Sequence, residues 1–428
     1  MLLRLHVRGL RNLADVELPL GPFTCLAGRN GAGKSNLLSA ARLLGLLADR
    51  SLADAVAALG LGRDATPLFR RDGERIADEL HLEADLLVPG AAVDELGQRG
   101  EASITLLRYT LALGRRPDRA DTAGLAVLRE ELHHLRLRDA RAHLGFPCSV
   151  AWRESVLEGR RSGAAFLSTE GGHVEVHQDG GQGSSRVEAA RLPRTVLSSA
   201  RAAETPTALC ARRELQSWRH VHLEPTALRT PGELPAWLRR ARHVGGPAAL
   251  ARIAQRLAAL QAGIDVGPAG DDLDLRALGD GALRFLALAT LAEDHGCGLL
   301  CIEEPENGIH PDSIPVLLEL LRSLAVDVER PAGADNPLRQ VLIATHSPGL
   351  VSLSPEDSVV GVTPPGASVR WLSDTWRARV SPDHALSREE LLPYVQPSGT
   401  PAPAPAPGVR RRVVDREDLQ LPLFPEPG

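Results

Sequence analysis

Apolar and polar positions change period along the chain. "LLRLHVRGL" and "ADVELPL" alternate with a period of two, which predicts strands buried on one face. "FTCLAG" is a short continuous apolar run that leads into the Gly-rich stretch "GRNGAGKSN". From Lys34, "KSNLLSAARLLGLLADR" takes a helical period, so the Gly-rich stretch is predicted to lie between a strand and a helix. Residues 50–270 are less regular. There "IADELHLEADLLV" and "ASITLLRYTLAL" predict strands, and "AAFLSTEGGHVEVHQDG" predicts a hairpin turning at Gly171–Gly172. "GPAALARIAQRLAALQAGI" predicts an amphipathic helix.

Regular alternation returns in the last third. "DGALRFLALATLAEDHG" reads as a helix, "GLLCIEEP" as a buried strand, "PDSIPVLLELLRSLAVD" as a helix with Pro near its start, and "RQVLIATHSP" as a second buried strand. "PEDSVVGVT" and "ASVRWLS" read as closing strands. Strands alternating with helices predict an α/β fold around a parallel sheet. The expected division is residues 1–60, an inserted strand-rich and helical region at 61–270, a second part of the sheet at 271–395, and a Pro/Ala linker with tail at 396–428. "PSGTPAPAPAPG" cannot build a core, so the tail is expected to be disordered.

Composition then narrows the field. The chain has 428 residues, with 43% hydrophobic and 24% charged residues, which fits a globular protein with ample surface to bury. The formal net charge of -5 gives no global basic field for nucleic acid. The five cysteines show no C-x-x-C pair and read as small buried hydrophobes in a reducing cytoplasm. No apolar run reaches the roughly 18 residues of a membrane span, and "MLLRLHVRGL" is broken by charges, so neither membrane nor export is expected. Of the 49 lysine and arginine residues, all but Lys34 are arginine.

That one lysine sits in a phosphate-loop pattern, Gly28-x4-Gly33-Lys34-Ser35. Backbone N–H groups across Gly28, Asn30, Gly31, Gly33 and Asn36 would cradle phosphates at the helix N-terminus. Lys34 would reach the β- and γ-phosphates, and Ser35 would ligate Mg²⁺. An ammonium is a compact charge and a guanidinium a broad fork, which explains lysine at this one tight position. "GLLCIEEPENGIHP" supplies the complementary strand. Glu303 at its end is assigned to the metal, and Glu304 to orienting or deprotonating the attacking water. His346 in "ATHSP", at the end of the next strand, is assigned to the γ-phosphate.

These residues carry a family resemblance. Through "GLRNLADVELPLGPFTCLAGRNGAGKSNLLSA", "LGDGALRFLALA", "LLCIEEPENGIHP" and "LIATHSP", the chain resembles the RecF/SMC/OLD group of ABC-type ATPases over roughly residues 1–375. The resemblance implies an α/β P-loop NTPase of ABC-head type with an inserted mixed α/β lobe, and the absence of sustained heptads in the middle of the chain argues against a long coiled-coil arm. It implies ATP and Mg²⁺ as cofactors and a homodimer closed around two nucleotides. Each site would be completed by the partner's signature segment, here "ALGDGALRFLAL". Gly279 replaces the usual signature serine, so Gly281 and its neighbouring backbone N–H groups are left to meet the phosphate. Asn307 and His310 are placed near the dimer interface by the same resemblance. The Q-loop is expected in "LPRTVLSSARAAETP" or "VHLEPTALRTP".

Relatives of this architecture act in DNA repair or phage defence, often with a separately encoded nuclease effector. About 50 folded residues follow His346, too few for a fused nuclease domain. A regulatory ATP-binding module with little turnover, motivated by Gly279, and a transporter motor remain as alternatives. Arg212–Arg213 and Arg239–Arg256 either form a basic face for DNA or a solvated helix face. In the tail, Gln420, Leu421, Leu423 and Phe424 of "QLPLF" resemble the short peptide by which bacterial polymerases and repair proteins bind the sliding clamp. The alternative is that the tail packs back on its own ATPase domain.

Overall fold

A computed structural model describes residues 1–159, 163–180, 183–223, 280–291, 296–362, 368–387 and 390. The helix expected at 246–264, Gly279, the arginines of 239–256, the linker and the four tail residues Gln420, Leu421, Leu423 and Phe424 lie outside the described residues.

Among the described residues, two large sheets organise the chain. The first has eight antiparallel strands: β1 (Leu2–Leu10), β2 (Leu13–Pro19), β4 (Glu79–Leu87), β5 (Leu106–Arg115), β6 (Leu125–His134), β7 (Leu167–Glu170), β8 (His173–His177) and β9 (Ser184–Glu188), in the order β9-β8-β7-β6-β5-β4-β1-β2. The alternation read in β1 is real: Leu5 and Val7 are buried, while His6 and Arg8 face outward. Glu170 pairs with His173, so the hairpin turns at Gly171–Gly172 as expected, both with positive φ. Strands on either side of the division expected at residue 60 share this one sheet.

The second sheet has seven strands: β3 (Phe23–Ala27), β10 (Arg219–His222), β11 (Leu299–Glu303), β12 (Gln340–Thr345), β13 (Ser358–Val362), β14 (Ser368–Leu372) and β15 (Ala385–Leu386), in the order β10-β11-β12-β3-β13-β14-β15. Strands β10 through β13 run parallel, and β14 turns back antiparallel to β13. The unbroken apolar runs of β3, β11 and β12 follow from burial on both faces. On one face, Leu37, Leu38 and Leu44 of α1 (Lys34–Leu47) join a core with Leu26, Leu299 and Leu342, which continues into Leu5, Val7 and Leu82 of the antiparallel sheet. On the other face, Leu288 of α6 (Asp280–Leu291) and Leu317 and Leu321 of α7 (Ile314–Ser323) pack on Cys25, Ile302 and Ile343.

The remaining described helices are α2 (Leu52–Ala58), α3 (Ala140–Leu144), α4 (Val150–Val156), α5 (Pro206–Gln216), α8 (Pro348–Leu353) and α9 (Trp376–Val380). A buried glutamine helps bridge the two sheets. Gln340, fully shielded at the start of β12, accepts from Leu2 N at 2.9 Å and donates from Nε2 to Leu2 O at 2.7 Å and Gly21 O at 2.8 Å.

Candidate nucleotide-binding site

The site lies where the parallel strands end. β3 delivers the chain into the loop at Gly28, whose φ of 146° and crowded surroundings exclude a side chain: a Cβ there would stand 3.0 Å from Gly361 O. Gly33, at φ 95°, turns the loop into α1. No side chain caps α1, and no acidic residue occupies its first turn, so its leading N–H groups stay available to an anion. Lys34 is buried and folds back into the loop, donating from Nζ to Gly28 O at 2.6 Å and Arg29 O at 3.1 Å. Burial lowers its pKa, and Glu304, Glu306 and Glu303 oppose that shift.

β11 lies two strands from β3 and ends at Glu303. Contact with His220 of β10, whose Nε2 stands 3.6 Å from Glu303 Oε1, holds the carboxyl below the ordinary range against its partial burial. His222 and the Ser35 hydroxyl act in the same direction. The hydroxyl and carboxylate expected to hold Mg²⁺ are thus near enough to interact. Among the described residues no cluster of three or more His, Cys, Asp or Glu could hold a metal. Two oxygen ligands fit Mg²⁺, which takes few protein ligands and fills its shell with phosphate and water.

Glu304 adopts φ 45°, the left-handed region rarely taken by a side-chain-bearing residue. Its N–H donates to Ala344 O at 2.7 Å, and both carboxylate oxygens are engaged: His346 Nδ1 lies 3.1 Å from Oε1, and Asn307 Nδ2 donates to Oε2 at 2.7 Å. The structure thus brings Glu304 and His346 together and adds Asn307, while His310 stays exposed on the same loop. Gly281, at the start of α6, has the Gly308 carbonyl as its nearest neighbour, 3.5 Å from where a Cβ would stand. The signature-like helix therefore abuts the "ENGIHP" loop of its own chain.

Several residues of the site escaped the sequence reading. The two-residue turn between β1 and β2 braces the phosphate loop: Asn12 Nδ2 donates to Gly31 O at 3.0 Å, and Asn36 Nδ2 donates to Asn12 Oδ1 at 2.7 Å. Arg11 Nη1 donates to Asn36 Oδ1 at 3.0 Å, so the Asn36 side chain is committed to this turn. Beside it, Arg11, Asn12, Asp64, Thr66, Phe69 and Arg71 line a cavity of about 530 Å³. Gly361 of β13 presses on the loop; its glycine inside an apolar strand was the available signal for a close backbone approach. Glu306, buried, accepts from Thr345 Oγ1, while its Oε2 has no hydrogen-bond partner among the described residues. Burial raises its pKa, and the Thr345 bond opposes this.

One expectation changes. Arg212 forms no open basic face: it is buried, paired with Glu95 at 2.7 Å, and bonded to Ala48 O. Its neighbour Arg213 shares the same carboxylate at 3.3 Å. Of the two Q-loop stretches, "VHLEPTALRTP" follows directly from β10, the parallel neighbour of β11, but its residues from 224 onward lie outside the described residues.

A loop–helix phosphate cradle on a central parallel strand, with acidic and histidine strand ends beside it and an antiparallel sheet packed over α1, defines a P-loop ATPase head of ABC type. A family model described as "AAA domain, putative AbiEii toxin, Type IV TA system" matches residues 162–352, a span that holds Glu303, Glu304 and His346 but not the phosphate loop. An OLD nuclease of Thermus scotoductus is 52% identical over 44 residues, 10% of this chain and 8% of that protein. The DNA replication and repair protein RecF of Magnetococcus marinus is 38% identical over 105 residues, 24% of each chain. The chain therefore spans less than a quarter of either curated relative.

Among solved structures, the SMC head domain from Thermotoga maritima aligns over 87% of this chain and 98% of its own at 12% identity and TM-score 0.42. An SMC head bound to the C-winged helix domain of ScpA aligns over 86% and 96% at 13% identity and TM-score 0.47. Over these stretches the chain is similar to ATPases of the RecF/SMC/OLD group. Among the described residues no helix is long and apolar enough to cross a membrane.

Proposed function

We propose that the chain binds ATP with Mg²⁺, closes head to tail with a second copy around the nucleotides, and hydrolyses them. This cycle serves DNA repair or maintenance, or anti-phage defence, together with a separately encoded nuclease effector. The observation that carries the reading is the meeting, at one set of strand ends, of Lys34, the Ser35–Glu303 pair and the Glu304–His346 pair. The nucleotide's phosphates would take the Lys34 ammonium from the loop carbonyls and the free N–H groups of α1. The cavity beside Asn12 fits the nucleoside end, with Asp64 as an acceptor for sugar hydroxyls and Phe69 as an apolar wall. Ser35 and Glu303 would hold the metal, which neutralises phosphate charge when bound. Glu304 would accept the proton of the attacking water while His346 keeps the carboxylate aimed.

The test is ATP turnover and oligomeric state in wild type and Glu304→Gln. Turnover is expected to fall by about 10²–10⁴-fold with ATP binding retained and a dimer accumulating. An unchanged rate, with no stabilised dimer, removes the catalytic assignment. One observation favours a second reading, a regulatory module that hydrolyses little: both oxygens of Glu304 are already bonded, so the base must be released before it can serve. Turnover measured with and without duplex DNA separates the two. A transporter motor predicts a membrane partner, and co-purification with soluble partners alone counts against it.

A further inference from the structure

At the end of the parallel sheet away from the phosphate loop, three short helices meet around a hollow of about 390 Å³. Arg141 of α3, Arg153 of α4 and Arg379 of α9 ring it, with Phe146, Trp376 and Cys148 among its walls. The aromatic rings pack edge to face, with Phe146 and Trp376 centroids 6.1 Å apart and Phe146 and Trp152 centroids 5.8 Å apart, which makes this wall rigid. None of the three arginines forms an ion pair with a described residue, whereas Arg4, Arg108, Arg119, Arg212 and Arg322 all do. Val380, on the helix that carries Arg379, is 47% exposed. Three convergent unpaired cations over an aromatic wall select an anionic ligand that also carries apolar side chains.

We infer that this groove docks the chain's own segment 415–426, "DREDLQLPLFPE". The segment carries four carboxylates, Asp415, Glu417, Asp418 and Glu426, against one arginine, and its apolar residues Leu419, Leu421, Leu423 and Phe424 fall between them. That pattern is the complement of arginines ringing an aromatic hollow. Arg410–Arg412 lie just upstream, and like charge excludes them from the groove, which sets the start of the docked segment at Asp415. β15 closely follows α9 and ends at Leu386, so the tail departs from the neighbourhood of the groove. The 29 residues from Leu386 to Asp415 can reach at most roughly 100 Å, so tethering favours the intramolecular contact without strain.

A nucleic-acid backbone would ask for a stripe of cations along its path rather than a ring around an apolar hollow. Docking would cover Gln420, Leu421, Leu423 and Phe424, the side chains that resemble a clamp-binding peptide, and so withhold them until a partner competes. This inference stands apart from the ATPase reading, since the groove lies at the end of the parallel sheet away from the nucleotide site.

The test uses the full chain. Cys148 lines the groove and is the one cysteine that is not buried. In Leu419→Cys, a short bismaleimide is expected to join residues 148 and 419 within one molecule, as read by mass spectrometry of the monomer band. Arg141→Glu with Arg379→Glu, both at exposed positions, should lower the yield at least tenfold. Adding Glu417→Arg and Asp418→Arg should restore it. Absence of the link, or a link undiminished by the charge reversal, overturns the proposal. So does a link formed only between two molecules, which makes a second copy's tail the occupant. Binding of a duplex oligonucleotide that needs Arg141 and Arg379, with no tail link, overturns it in favour of nucleic acid.

Discussion

At the scale of single residues, the lone lysine has a geometric explanation. Lys34 Nζ sits inside the loop it serves, bonded to two loop carbonyls at 2.6 and 3.1 Å, in a buried pocket where a planar fork would displace backbone. Lys34→Arg keeps the charge and is still expected to weaken ATP binding by about tenfold or more, with Lys34→Ala abolishing it; titration with a fluorescent ATP analogue checks both. Wild-type affinity in Lys34→Arg would show that charge alone is enough. Glu304 is the other residue whose local geometry is informative. Its left-handed backbone is retained because three hydrogen bonds hold it, and it aims the carboxylate at the strand ends and not along the strand.

At the scale of elements, the phosphate loop is held from two sides. The β1–β2 turn braces it through Asn12 and Asn36, and β13 presses on it at Gly361, where an added Cβ would lie 3.0 Å from Ala32 O and 3.2 Å from Ala32 Cβ. Gly361→Ala must push Ala32 by a few tenths of an ångström. We expect roughly tenfold weaker nucleotide binding with only a small change in melting temperature. A large loss of stability with unchanged affinity would show that the contact serves the strand and not the loop. These supports were partly legible. "VVGVT" announces a glycine inside a buried strand, but only the parallel pairing of β13 with β3 tells which backbone it must admit. Glu306 and His220 were not legible, because their roles come from β11, β12 and β10 lying side by side, a register no local pattern encodes.

At the scale of the whole molecule, two buried polar side chains tie distant parts together. Gln340 joins the N-terminal strand to the parallel sheet through three backbone hydrogen bonds. Gln340→Leu leaves those groups unpaired in the core and is expected to cost about 3 kcal/mol, read as a lower denaturant midpoint at unchanged slope. Glu130, fully buried in β6, accepts from Val196 N, Leu197 N and Tyr109 OH at 2.7, 2.8 and 3.1 Å, linking the antiparallel sheet to the segment that leads into α5.

Burial pushes the Glu130 pKa up from 4.5 to about 7, opposed by those three hydrogen bonds. A folded-state value above the unfolded one means that its contribution is complete below about pH 4.5 and is lost as pH rises through about 7. Against Glu130→Gln, which does not titrate, wild type should lose up to about 3 kcal/mol of relative stability between pH 4.5 and 8, measured by urea melts. A difference that stays flat with pH would refute the shift.

What the sequence determined by itself was chemistry tied to short spacing. The phosphate loop, the acidic strand end and the histidine strand end each lie within a few residues, where Gly positions, apolar runs and charges are fixed relative to one another by covalent neighbourhood. The same holds for the strands and helices around them, whose periods reflect burial on one face or two. Tertiary structure alone decided how these pieces combine. Residues 28, 220, 304 and 346 meet only through the order of parallel strands, and residues 12 and 36 only through one hairpin laid over α1. It also decided which arginines are spent: Arg212 is consumed by Glu95, while Arg141, Arg153 and Arg379 converge on one hollow. The reason is physical. Local pattern reports how each segment partitions between core and water, whereas partner choice depends on which segments the folded chain brings within a few ångströms.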